Sequence, residues 1–386
     1  MRKKIILVIF VMISLVACVG SNGVKTANAD ELTDEIDKQL DNIDLTDLEN
    51  FFNQVNELPD GVKFNNIFNE ILSGKFEFDF NGVSNYVLEI IFSGVKKFLP
   101  SLISVLAISI FALILQSSGG NNTDSVSKVV FWVCILSVFT ILSKEIFQIY
   151  ANTKNTIDLL SNLIEIMSPI MLTLMVACGG KVSAGIYSSS MVYLSTTFAR
   201  VFTSVVLPLS IVIMVLSFIG CFSKSIRIGK LVEFINSLVK WIIGITLTVF
   251  TVFISMQGIV AGNYDGVSLR LTKYALSNSI PLIGGFIGGS MDLVIAGSSI
   301  IKNTVGLTCV YVAFYFTISA VLNILAFLFV LKFATGIIDT FSETKIPELC
   351  SVTAKSLTNL IVVVLGVGFA FLISVLLMIL SVGAFL

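Results

Sequence analysis

The chain has 386 residues, is 55% hydrophobic and carries charge on only 13% of its positions, about half the charged share of an average soluble domain. That excludes a string of soluble domains. With 24 basic against 25 acidic residues and no histidine, it also excludes a basic nucleic-acid-binding surface, histidine triads and histidine metal sites. The reading is an all-α polytopic membrane protein with no cofactor to assign.

Met1-Arg2-Lys3-Lys4 is basic, and Ile5 to Val19 is apolar but short for a permanent span. Residues 1–29 therefore read as a signal peptide cleaved after Ala27-Asn28-Ala29. Leu15-Val16-Ala17-Cys18 offers an alternative lipoprotein signal, and an uncleaved anchor is the third reading. All three put the next segment outside the cytoplasm.

Residues 30–97 read as an acidic extracytoplasmic helical domain, with 14 acids against three lysines between Asp30 and Phe80. Apolar positions from Ile36 to Val55 recur at helical spacing. Thr46 with Glu49 has the form of a capping box, which suggests two helices there. Pro59-Asp60-Gly61 is a turn, and Phe64, Ile67, Phe68, Ile71 and Leu72 form a stripe closed by Gly74. The acidic face is either simply solvated or accompanies an apolar stripe that docks on a partner.

Residues 98–386 form the membrane domain. Six full spans are expected, at about 98–116, 129–150, 201–222, 241–262, 306–331 and 357–382. Two weaker regions, 157–199 and 281–302, carry Gly, Ser and Pro and read as hairpin or re-entrant segments, although 157–178 is long enough to cross fully. Pro169 precedes Ala184-Gly185 as Pro281 precedes Ala296-Gly297, an offset of 112 residues that suggests an internal repeat. Lys224, Arg227, Lys230 and Lys240 make 223–240 the strongest cytoplasmic signal. Lys332, Lys345 and Lys355 then fall inside and Leu386 outside.

Asp158, Ser161, Asn162 and Glu165 share one helical face. They form either an interfacial helix or the lining of a passage. Lys181 and Arg200 flank a serine-rich stretch and are candidate partners for Glu165 or Asp292. Asp158, Glu165, Lys181, Arg200 and Asp292 are thus the candidate passage-lining or gating residues. Gly284, Gly285, Gly288 and Gly289 make overlapping GxxxG spacings, read as helix packing or as a re-entrant loop. Gln257 and Asn323 lie inside spans and are expected to hydrogen-bond across helices. The cysteines beyond Cys18 read as buried thiols. No GxxxxGK[ST] loop is present and nothing marks a catalytic pair, so an enzyme is not expected.

Two stretches carry a family resemblance. SPIMLTLMVACGGKVSAGIYSSS, from Ser168 to Ser190, and SMQGIVAGNYDGVSLRLTK, from Ser255 to Lys273, the latter followed by Ile280 to Gly285, resemble the stage III sporulation protein AE family. The resemblance implies a multi-pass component of a specialised secretion-like channel linking mother cell and forespore, required for forespore development during engulfment. It implies as partners other sporulation channel proteins, including a separate cytoplasmic ATPase and intermembrane-space ring proteins, together with membrane lipid. It also implies a place in the mother-cell membrane around the forespore. The rival expectations are an autonomous secondary transporter of a small solute and a structural scaffold for channel assembly.

Overall fold

The computed structural model describes residues 29–55, 63–76, 80–118, 124–222, 228–279, 284–341 and 345–383. The N-terminal signal segment, Cys18, the turn at 59–61 and Pro281 lie outside them. All regular structure among the described residues is helical. Among the described residues, six helical segments are long and apolar enough to cross a membrane.

Three short helices come first: α1 (Ala29–Leu40), α2 (Thr46–Gln54) and α3 (Phe64–Leu72). The break between α1 and α2 agrees with the two-helix reading, but the capping differs. Thr46 is the first residue of α2, and the Asp44 carboxylate accepts its N–H at 3.0 Å. Hydrogen bonds from the Thr46 hydroxyl and amide hold the Asp44 carboxyl below the usual range. Asp44 therefore supports α2 above the ordinary carboxylate range, and this support is lost as pH falls through its lowered value. Protection of the α2 amides, corrected for intrinsic exchange, is expected to fall in acid in the wild type and to show no such step in Asp44→Asn.

The apolar stripes of these helices dock on their own chain. Phe51 meets Phe316 edge to face, and Phe76 meets Tyr311 likewise. Gln39 donates to the Val294 carbonyl and accepts from the Ser298 hydroxyl at 2.8 Å. Gly297 leaves the room that Gln39 occupies.

The membrane domain consists of α4 (Phe80–Ser118), α5 (Asp124–Ala177), α6 (Lys181–Val201), α7 (Leu207–Phe222), α8 (Ile228–Ser279), α9 (Gly284–Phe341) and α10 (Lys345–Gly383). A π-helical turn, Phe202–Val206, joins α6 to α7. It lies just before Pro208, which has no N–H for the regular ladder.

These helices outrun the expected spans. At 54 and 58 residues, α5 and α9 reach about 80 and 87 Å, more than twice the hydrocarbon thickness. The weak region 157–199 is a helical hairpin, but its legs are the end of α5 and all but the end of α6. Residues 284–302 continue without a break into the next span as one helix, α9. Pro169 to Gly185 crosses the turn between α5 and α6, whereas Ala296-Gly297 sits inside uninterrupted α9, so these two stretches differ in local structure.

Contacts fix the directions. Tyr86 meets Tyr315 and Phe98 meets Phe327, so α4 and α9 run parallel. Ser101 donates to Glu145, and Gly94 lies against Ala326. Asn359 bonds Asn236 while Gly366 faces Leu247, so α8 and α10 run together. Lys302 reaches Ile379 and Thr317 reaches Gly368, so α9 and α10 are antiparallel. The most apolar windows of α9 and α10 are each 72% buried, against 22–33% for the other four spans. The α9–α10 pair is therefore the core, and α4 to α8 surround it.

Candidate functional site

The end of the bundle where α5 turns into α6 brings the two signature stretches together. Gly179 N–H bonds the Val176 carbonyl and Gly180 N–H bonds the Met175 carbonyl, with Gly179 at φ 87°. This is a helix closed by a left-handed residue, the conformation that glycine adopts without strain. The first amides of α6 then have no intrahelical acceptor. Asp265 of α8 supplies one. Its Oδ1 accepts from Val182 N–H and its Oδ2 from Ser183 N–H, both at 2.9 Å. The carboxylate is 1% exposed, held by charge-assisted bonds at the positive end of the α6 dipole.

A polar seam runs from this cap between α6 and α8. Ser183 and Tyr187 are fully buried on α6, Gln257 is buried on α8, and Phe198 against Phe250 closes the far end. Ser183 Oγ, Tyr187 OH and Gln257 Oε1 find no hydrogen-bond partner among the described residues. Beside the turn, Cys178 approaches the Ile295 carbonyl. Burial pushes its thiol up to about 11, and the nearby Lys302 charge pulls the other way. Lys302 is wholly buried and donates to the Ile379 carbonyl at 2.9 Å. Cys134, Cys309 and Cys350 are also buried.

The residues singled out from sequence do not line this seam. Asp158, Asn162, Glu165, Lys181, Arg200 and Asp292 are all exposed. Glu165 accepts from the Thr196 hydroxyl at 3.3 Å rather than pairing with Lys181 or Arg200. Lys181 and Arg200 sit at opposite ends of α6, about 28 Å apart, and cannot converge on one acid. Gly289 is exposed, and a Cβ there would meet nothing within 4 Å. The surroundings of Gly284, Gly285 and Gly288 lie outside the described residues. Asn323 lines a cleft between α4, α5 and α9.

Height along the bundle separates two faces. Leu160 and Ile164 of α5, Ser195 and Phe198 of α6, Phe250 of α8 and Val367 of α10 line one cavity and so share a level. Around that level α5 and α6 expose Asp158, Asn162, Glu165 and Arg200. On α8, which packs against α6, Ile245, Val249, Val252, Phe253 and Met256 are exposed. One face suits lipid and the other suits water.

The family model for stage III sporulation protein AE matches residues 62–382. The chain belongs to this family. A stage III sporulation protein AE of Bacillus subtilis (strain 168) is 26% identical over 273 residues, covering 70% of this chain and 68% of the relative. No solved structure matches. Membership ties the chain to sporulation, and the helical bundle makes it a multi-pass membrane protein. The matched region takes in the hairpin, the Asp265 cap and the core pair, and leaves α1 and α2 outside.

Sequence reasoning passed over Asp265 because α8 reads as ending at 262, which makes the acid look like a loop charge. Lys302 reads only as the last residue of the weaker region 281–302. In both cases the available signal was a single charge inside an apolar helical period.

Proposed function

We propose that the protein is a membrane component of a specialised secretion-like channel linking mother cell and forespore, required for forespore development during sporulation. The observation that carries the reading is the contrast between two exposed surfaces at one height. Where α8 presents a greasy surface, the α5–α6 hairpin presents acids, amides and Arg200. A charge facing lipid at that depth costs roughly 2.5–3.5 kcal/mol on insertion scales, so the polar face serves an aqueous passage completed by other proteins. The cavities between α5, α7 and α10 and between α5, α6, α8 and α10 leave room for about one water each. That favours a passage beside the chain over a solute pocket within it.

In this reading the chain sits in the mother-cell membrane around the forespore, with α1–α3 and the Asp265 end outside the cytoplasm. Lys230, Lys240, Lys332 and Lys355 belong to the opposite half of the bundle, as the positive-inside rule requires. The protein is not an enzyme. A separate cytoplasmic ATPase supplies the energy, and ring proteins in the intermembrane space meet the acidic helices.

Glu165→Gln, Lys181→Gln and Asp292→Asn remove charge without removing bulk. Each is expected to leave the protein in the membrane while blocking forespore development. Normal spore yield from all three would refute the passage. Solute uptake by the purified protein alone in liposomes would favour the transporter instead.

A further inference from the structure

We infer that the cleft between α4, α5 and α9 binds a phosphate-bearing anionic headgroup. Its polar lining comes from three helices: Lys97 of α4, Gln148, Asn152 and Thr153 of α5, and Asn323 of α9. Every one of these groups can donate a hydrogen bond, and no carboxylate lines the cleft. The nearest acid on α5, Glu145, is buried and takes the Ser101 hydroxyl at 2.7 Å. A lining of one ammonium, three amides and a hydroxyl selects a ligand rich in acceptor oxygens and carrying negative charge.

Thr153 is the independent sign of a missing ligand. It is 1% exposed, lines the cleft, and its hydroxyl has no partner among the described residues. Buried polar groups are ordinarily satisfied. The inner end of the cleft has room for about one water, which links Thr153 to a phosphate seated at the mouth. There Lys97, Gln148 and Asn152 are exposed. Lys97 is already drawn towards this spot, its ammonium lying 5.6 Å from the centre of the Phe98 ring that forms the apolar wall.

Position favours a lipid as the source of the phosphate. On α4 Lys96-Lys97 interrupt a greasy outer stripe, with Leu88 and Phe92 exposed before them and Leu99 and Ile103 after, so the mouth of the cleft opens on an apolar surface that acyl chains would cover. A phosphate at the mouth would leave its acyl chains running along Leu99 and Ile103. Lys and amide groups beside such a surface suit headgroups. This site is independent of whatever the protein helps to transport.

The test is native mass spectrometry of the full chain released from detergent, after delipidation and titration with phosphatidylglycerol, diacylglycerol or inorganic phosphate. The wild type is expected to retain one phosphatidylglycerol in preference to diacylglycerol. Lys97→Gln with Asn152→Leu, both at exposed positions, is expected to weaken retention at least tenfold, and Lys97→Arg to preserve it. Displacement of the lipid by millimolar inorganic phosphate would assign the same cleft to free phosphate, and failure to displace it assigns the cleft to lipid. Equal retention by the wild type and the double variant, or equal binding of diacylglycerol, would overturn the inference.

Discussion

Asp265→Ala is expected to destabilise the bundle by roughly 1–3 kcal/mol, the cost of one orphaned buried amide. Two amides are at stake, those of Val182 and Ser183, and both bond the same carboxylate at 2.9 Å. Water can reach the exposed Val182 but cannot easily replace the acid at the Ser183 amide, because Ser183 is fully buried and Asp265 nearly so. The loss should be concentrated at the start of α6 and should appear as a lowered melting temperature in detergent and as new proteolytic cleavage near Gly180. Asp265→Asn keeps one acceptor and should lose less than half as much. An unchanged melt for Asp265→Ala would mean that the α6 amides have another acceptor and that the two signature stretches are not held together by this cap.

The cap also explains why the site was harder to read than the fold. The all-helical, six-span architecture follows from composition and apolar period, and both survive in the structure. Helix lengths do not follow so directly. A hydropathy window breaks α5 after 150 because Lys154 and Asp158 lower its average. Both are exposed, while Thr153, Thr156, Ile157, Leu160 and Leu163 continue the buried stripe on the other face. A charge on the wet side of a helix does not interrupt it. Period rather than average would have joined 129–150 to 157–177.

The functional residues divide in the same way. Asp158 and Glu165 were legible because charges at helical spacing define a face, and Arg200 only as a flank of the serine-rich stretch; all three are exposed on the α5–α6 hairpin. Asp265, Lys302 and Tyr187 were not legible. Their importance comes from tertiary partners, or the lack of them, 77 or more residues away along the chain for Asp265 and Lys302. Lys302 illustrates the energetics. Its ammonium is buried with the Ile379 carbonyl as its acceptor, near the end of α10, where the helix dipole is negative.

Tight glycine approaches among the described residues fall at Gly94, Gly306 and Gly368, and Gly368 is the closest. A Cβ there would lie 2.5 Å from Thr317 Oγ1, 2.7 Å from its Cγ2 and 3.2 Å from its Cβ. Rotation of Thr317 moves one of these atoms away only by bringing the other in, and the Thr317 hydroxyl is already committed to the Ala313 carbonyl at 2.8 Å. Gly368→Ala should therefore force α9 and α10 apart, at a cost of about 1–3 kcal/mol for overpacking. Because these two helices form the buried centre, the effect should spread to overall yield and melting temperature. Thr317→Ala removes the two closest atoms, so the double variant Gly368→Ala with Thr317→Ala should recover most of the loss, giving a coupling that separate sites would not show. Gly336→Ala is the matched control. Its Cβ would meet nothing within 4 Å on the same helix pair, so the added methyl should raise stability by roughly 0.5–1 kcal/mol through helix propensity. One substitution type should thus change sign with position. Equal melting temperatures for Gly368→Ala and Gly336→Ala would show that α9 and α10 are not packed as closely as Gly368 and Thr317 require.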